Sequence, residues 1–131
     1  MRNNRQTDRA KVLIATQEVP MGLAIERQLA LEGYVIERVH DSKGVLRLIG
    51  RQPYDVIVLD LALSDEGSVD LVSYIRRRSP SSHIVLLCDI AKIERAIEGI
   101  RRGAFFYLPR TTQPSDVALV IGKAVRARGA E

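Results

Sequence analysis

Apolar residues in this chain fall into short unbroken runs, separated by stretches where they recur every three or four positions. The runs are KVLIA at 11–15, YVIERV at 34–39, VIVLD at 56–60, HIVLLC at 83–88 and FFYL at 105–108. Each has the length of a strand and is too short for a buried helix. Between them the spacing changes. Met21, Ile25 and Leu29 share one helix face, with Gly33 as its stop. Asp41 or Ser42 caps a second helix carrying Val45, Leu48 and Ile49. Leu71, Val72 and Ile75 mark a third, ended by RRRSP. Ile93, Ala96, Ile97 and Ile100 make a fourth stripe, stopped by Gly103, and Val117, Val120, Ile121, Ala124 and Val125 a fifth, with Pro114 and Ser115 at its start.

Five strands alternating with five helices predict an α/β fold with a parallel sheet covered on both faces. Right-handed crossovers favour a doubly wound, flavodoxin-like sheet in the order 2-1-3-4-5, with sites at the carboxyl ends of strands one and three. VIVLD is apolar until its last residue and should be central; YVIERV is polar enough for an edge. We expect one domain over 11–128, a disordered polar lead-in over 1–10 that lacks the apolar segment of a secretory signal, and a short tail over 129–131.

Asp60, closing the VIVLD run, is the first candidate for chemistry, because a carboxylate is costly to bury without partners. In the predicted sheet it emerges at the carboxyl rim, clear of the core. Composition narrows the classes around it. An apolar fraction of 46% supports a real core, and no run approaches the roughly 20 residues of a spanning helix. Cys88 is the only cysteine, so no internal disulfide forms and a cytoplasmic setting is expected. The excess of 20 basic over 16 acidic residues is mild. RRR at 76–78 and RR at 101–102 read as solvated helix ends and not as a nucleic-acid surface. His40 and His83 have no second ligand at metal spacing. Neither a Gly-rich phosphate loop nor a nucleophile elbow is present, and ATQEVPMG offers one threonine where an FMN carrier wants several.

LEGYVIERV, PYDVIVLDLAL and AIEGIRRGAFFYLPR, with the spacing between them, resemble bacterial response-regulator receiver domains. The resemblance covers nearly the whole chain, about 11–128. It implies that Asp60 stands at the position that accepts a phosphoryl group from a histidine kinase. It also implies an acid pair for Mg²⁺ after strand one, where this chain has Thr16 and Gln17. Cys88 stands where a threonine or serine is usual, Arg110 where a lysine is usual, Pro109 where a small polar residue precedes it, and Ser68 at a glycine position. Tyr107 matches the aromatic switch position.

These departures matter because phosphoryl transfer depends on positioning and charge neutralisation, and Mg²⁺ on hard oxygen ligands. Thr16 and Gln17 offer no negative charge. Glu18 compensates only if its loop bends inward. Arg110 can hold a carboxylate with two parallel bonds, so Asp60 is expected to be an anion paired with Arg110. We therefore expect no resident cofactor, with Mg²⁺ disfavoured, no enzymatic activity, and a phosphorylation-independent module of two-component phosphorelay signalling. The alternative is a working receiver that phosphorylates itself on Asp60. Cys88 is expected to be a small core residue in place of a redox sensor, and Phe105, Phe106 and Tyr107 mostly core. Partners implied are a histidine kinase or another signalling protein, with no membrane. A homodimer is expected through helix 4, strand 5 and helix 5, a face carrying Lys92, Arg95, Arg101, Arg102 and Lys123 beside Glu94, Glu98 and Asp116. An output domain after RARGAE is left open.

Overall fold

A computed structural model describes residues 9–63 and 68–129. Five parallel strands, β1 (Lys11–Ala15), β2 (Val35–Val39), β3 (Val56–Asp60), β4 (His83–Cys88) and β5 (Phe106–Pro109), lie in the order β2-β1-β3-β4-β5. The helices are α1 (Val19–Leu31), α2 (Ser42–Ile49), α3 (Ser68–Arg78), α4 (Ile93–Arg101) and α5 (Pro114–Gly129). Three-residue 3-10 turns follow β3 (Leu61–Leu63) and β4 (Ile90–Lys92). This is the flavodoxin-like, doubly wound arrangement expected from the alternation. Element boundaries agree within about two residues, and Ser68 is placed as the first residue of α3. The expected lead-in falls largely on 1–8, outside the described residues. Its last residue, Ala10, is buried and its carbonyl accepts from Val35 N–H, so the ordered domain already includes it.

Side chains alternate across the pleat and feed two cores. Leu13, Ile57, Leu59, Ile84 and Leu86 pack with Val45, Val72, Ile75 and Ala96 of α2, α3 and α4. Val12, Ile14, Val56, Val58 and Val85 pack with Ile25, Leu29, Val117 and Ile121 of α1 and α5. All five residues of β3 are buried, as a central strand requires. Asp41 is the cap of α2, its Oδ1 accepting from Gly44 N–H at 2.8 Å. Gly33 ends α1 with φ +85°, the left-handed conformation that glycine adopts without a Cβ penalty.

Two expectations about α4 and β5 are corrected. Ile97 and Ile100 are 43% and 38% exposed, and Phe105 and Phe106 36% and 45% exposed. The helix meets the core through Ile93, Ala96 and Gly99, while Ile97 and Ile100 face outward. A Cβ on Gly99 would lie 2.5 Å from Leu86 Cδ1. That close approach rotates these two isoleucines outward. Phe106 opens β5, the edge strand, where one flank lacks a neighbouring strand. Tyr107, by contrast, is half-buried against the α2–α4 core.

The arginine clusters close loops. Arg76 donates to the carbonyls of Pro80 and Ser82, each at 3.0 Å, and Arg102 bonds Asp70 at 2.9 Å and Glu98 at 3.0 Å. These contacts tie Arg102 to α3 through Asp70 and to α4 through Glu98.

Candidate functional site

The carboxyl ends of β1, β3 and β5 bring Thr16, Asp60 and Arg110 together. Asp60 ends β3 and is 1% exposed, which corrects the expectation of an open rim position. It does lie at the carboxyl edge, but other side chains cover it. Arg110 donates from Nε to Oδ1 at 2.9 Å and from Nη2 to Oδ2 at 3.1 Å. Thr16 Oγ1 donates to Oδ2 at 2.7 Å, and the Ala62 backbone N–H donates to Oδ1 at 3.0 Å. These donors fill both lone-pair directions of each oxygen, the full capacity of a carboxylate.

Local structure explains each donor. The 3-10 turn after β3 folds the Ala62 amide back onto the side chain two residues earlier. Arg110 extends the β5 ladder by donating its own backbone N–H to Cys88 O at 3.0 Å, which aims its side chain from a fixed base. The Thr16 hydroxyl accepts from Glu18 N–H at 3.0 Å, so its own proton is left for Asp60. Glu18 occupies the cap position of α1, yet its side chain makes no cap bond. It reaches Arg110 Nη2 at 3.3 Å. One guanidinium therefore bridges two acids. Asp60 is the main cause that raises the Arg110 pKa above the ordinary guanidinium value, with burial opposing it.

Of the other singled-out residues, Gln17 is turned aside, its Nε2 donating to Leu63 O at 3.2 Å. Cys88 is buried in the α2–α4 core, with Sγ donating to Asp89 O at 3.1 Å, and burial pushes its thiol pKa up. The Ser68 side chain lies outside the described residues. The sequence pointed to the Asp60–Arg110 pair and named Glu18 as a pocket acid, but as a substitute for the missing metal ligands and not as the second acid on Arg110. The only available signal was an acid at the start of a helix. Ala62, a backbone donor, carries no sequence signal. No group of three or more His, Cys, Asp or Glu side chains with metal-binding geometry occurs among the described residues, and no helix there is long and apolar enough to cross a membrane.

A doubly wound sheet in this order, with an aspartate closing its central strand beside a basic residue from strand five, defines a class. The chain belongs to the response regulator receiver domain family, whose model matches residues 12–121. It is 26% identical over 123 residues to the response regulator protein PilR of Pseudomonas aeruginosa, covering 94% of this chain and 28% of that protein. It is 21% identical over 114 residues to the DNA-binding transcriptional regulator NtrC of a Bradyrhizobium species, covering 87% of this chain and 24% of the relative. The chain thus spans about a quarter of the length of these relatives. Among solved structures, a response regulator receiver domain protein from Methanospirillum hungatei superposes with a TM-score of 0.85 at 18% identity, covering 92% of this chain and 97% of that one. NtrX from Brucella abortus gives 0.85 at 23% identity, covering 92% and 28%.

Proposed function

We propose that this receiver domain signals without phosphoryl transfer, by protein–protein contact, within a bacterial two-component pathway. The observation that carries it is the saturated carboxylate: both oxygens of Asp60 are held by Arg110, Thr16 and Ala62. A nucleophile needs a free oxygen lone pair, and a divalent ion needs carboxylates that are not already bonded. The described residues do not fit Mg²⁺. Its first ligand is taken by a guanidinium, Thr16 points its proton at Asp60, and Gln17 bonds Leu63. A cation lodged in the pocket also repels a second one. On this reading the domain is not an enzyme, and Asp60 is a structural anion.

The proposed contact face is α4–β5–α5. Ile97, Ile100 and Phe106 are exposed there, together with Leu119 at 63%. Exposed large apolar side chains on these three elements support an interaction site. We assign it to a second copy of the chain, because its helices carry both charge signs: Lys123 and Arg101, with Glu94 and Asp116. A twofold axis can then set each sign against its opposite. A histidine kinase or another regulator is the competing occupant.

The test is titration with beryllofluoride and Mg²⁺, followed by amide chemical shifts, alongside incubation with acetyl phosphate read by intact mass. No saturable shift and no phosphoryl adduct are expected. An adduct that disappears in Asp60→Asn would establish a working phosphoacceptor and overturn the proposal.

A further inference from the structure

The helices run back against the parallel strands, so α2, α3 and α4 all end at the amino edge of the sheet, the pole opposite Asp60. These three helices share one face of the sheet, with α3 packed between its two neighbours. Arg76, Arg77 and Arg78 form the last turn of α3, Arg101 and Arg102 end α4, and Arg51 follows α2. The ends of α3 and α4 adjoin: a Cβ built on Gly103, just after α4, would lie 3.0 Å from Arg76 Nε. We infer that this arginine pole is a docking surface for the phosphate backbone of duplex nucleic acid.

A solvated helix end accounts for only part of this charge. The negative end of the α3 dipole offsets about half a unit, against three arginines in one turn. On α4, Glu98 and Asp70 balance Arg101 and Arg102. At the neighbouring strand starts, Lys11 and Asp55 carry opposite charges and cancel. Arg76 bonds only the carbonyls of Pro80 and Ser82, and Arg51, Arg77 and Arg78 have no acid partner among the described residues. Four positive charges are left at one end, equal to the formal excess of the whole chain, +4. Tyr74 holds two of them in place. Arg77 and Arg78 lie 5.9 and 5.5 Å from its ring centroid, and Arg78 Nη1 donates to its hydroxyl at 3.2 Å. Two like charges around one ring repel, and a bound anion relieves that repulsion.

The surface fits a phosphate backbone better than a protein. None of the exposed large apolar side chains of the described residues lies within 51–55, 74–82 or 101–103, so these segments lack the apolar centre of a protein interface. Guanidinium forks match phosphate oxygens with two parallel bonds. A single strand would want an open aromatic platform. The half-buried Tyr74 ring is taken up by guanidinium groups. Phe105, the next exposed aromatic along the chain, stacks on His83 and lines a groove with Val120 and Lys123 of α5, which covers the other face of the sheet. The contact is therefore with a duplex backbone, without reading of bases. It is independent of whether Asp60 accepts a phosphoryl group.

The test is fluorescence anisotropy of a labelled mixed-sequence DNA duplex of about 20 base pairs, titrated with the full chain at about 50 mM salt. Saturable binding with a dissociation constant of about 10–100 µM is expected, and four phosphate contacts should make it fall about 100-fold between about 50 and 200 mM salt. Arg77→Glu and Arg78→Glu should each weaken binding about tenfold. Lys43→Glu, the same charge change at the start of α2 on the opposite pole, should weaken it by less than about twofold. Equal losses from Lys43→Glu and Arg78→Glu would show attraction by net charge alone and overturn the assigned surface. Absence of saturable binding up to about 500 µM protein overturns the inference outright. Polyglutamate, or phosphatidylserine vesicles, displacing the duplex at equal charge concentration would make the occupant an acidic protein or a lipid surface and overturn the assignment to nucleic acid. Circular dichroism of each variant confirms that it folds.

Discussion

Arg110 grips Asp60 through two nearly parallel hydrogen bonds, Nε to Oδ1 at 2.9 Å and Nη2 to Oδ2 at 3.1 Å, across 50 residues of sequence. The acid is buried while the guanidinium remains a quarter exposed. The pair therefore sits at the boundary between core and solvent. There, charge-assisted bonds hold well and desolvation is only partial.

Neutralising Asp60 tests the pair directly. In a pocket crowded with acids, Asp60→Asn would relieve repulsion and stabilise the fold. Here the substitution removes charge-assisted bonds and leaves Arg110 facing Glu18 alone. We expect a loss of about 2 kcal/mol in urea unfolding. A midpoint that stays put or rises would mean that the pair contributes nothing to the folded state.

Arg110→Lys should cost less, about 1 kcal/mol, because one ammonium cannot make both parallel bonds. Adding Thr16→Asp and Gln17→Asp to this variant supplies two carboxylates and frees one oxygen of Asp60. The triple variant should bind Mg²⁺ at millimolar concentration by calorimetry, and the unsubstituted chain should give no heat. Binding by both would show that the guanidinium does not block the metal.

Cys88 provides the pH test. Burial raises its thiol pKa in the folded state. The unfolded thiol, near its ordinary value of about 8.5, ionises first. This contribution to stability is therefore complete below that value and is lost as pH rises through the raised folded pKa. Alkylation of the native protein by iodoacetamide should stay slow at neutral pH and accelerate only above the ordinary thiol range. Fast labelling at pH 7 would contradict a buried, neutral thiol.

For the proposed dimer, Phe106→Glu and Ile97→Lys place charge on two of the exposed apolar side chains of the proposed face. Each should shift sedimentation toward monomer and change folding stability by no more than about 0.5 kcal/mol, since both sites are exposed. Unchanged sedimentation in both variants would remove this face as the dimer contact.

Gly33 isolates a backbone effect. Its φ of +85° meets no neighbour within 4 Å of a built Cβ, so Gly33→Ala has strain but no clash. We expect a cost of about 1 kcal/mol from the left-handed conformation alone. Thermal unfolding reads it directly.

Much of the fold was legible because hydrophobic spacing reports which side chains share a face. The five strands, the five helices, the sheet order and the buried centre at β3 all follow from that spacing and from the handedness of crossovers. The pairing of Asp60 with Arg110 was also legible, since the topology brings the ends of β3 and β5 to one edge and opposite charges meet there. Periodicity does not report how closely a face approaches its neighbour. At α4 the contact goes through Ile93, Ala96 and Gly99, so Ile97 and Ile100 turn outward although their spacing matches a core stripe.

The sequence by itself determined the architecture and the chemical identity of the groups at the sheet's carboxyl edge. Tertiary structure alone decided that Asp60 is covered, that Glu18 joins Arg110, that the Thr16 proton points at Oδ2, and that the Ala62 amide completes the cage. The reason is physical. Local pattern fixes which atoms a residue brings, whereas a hydrogen bond depends on ångström-scale placement of backbones far apart in sequence, and only the packed loops supply that placement.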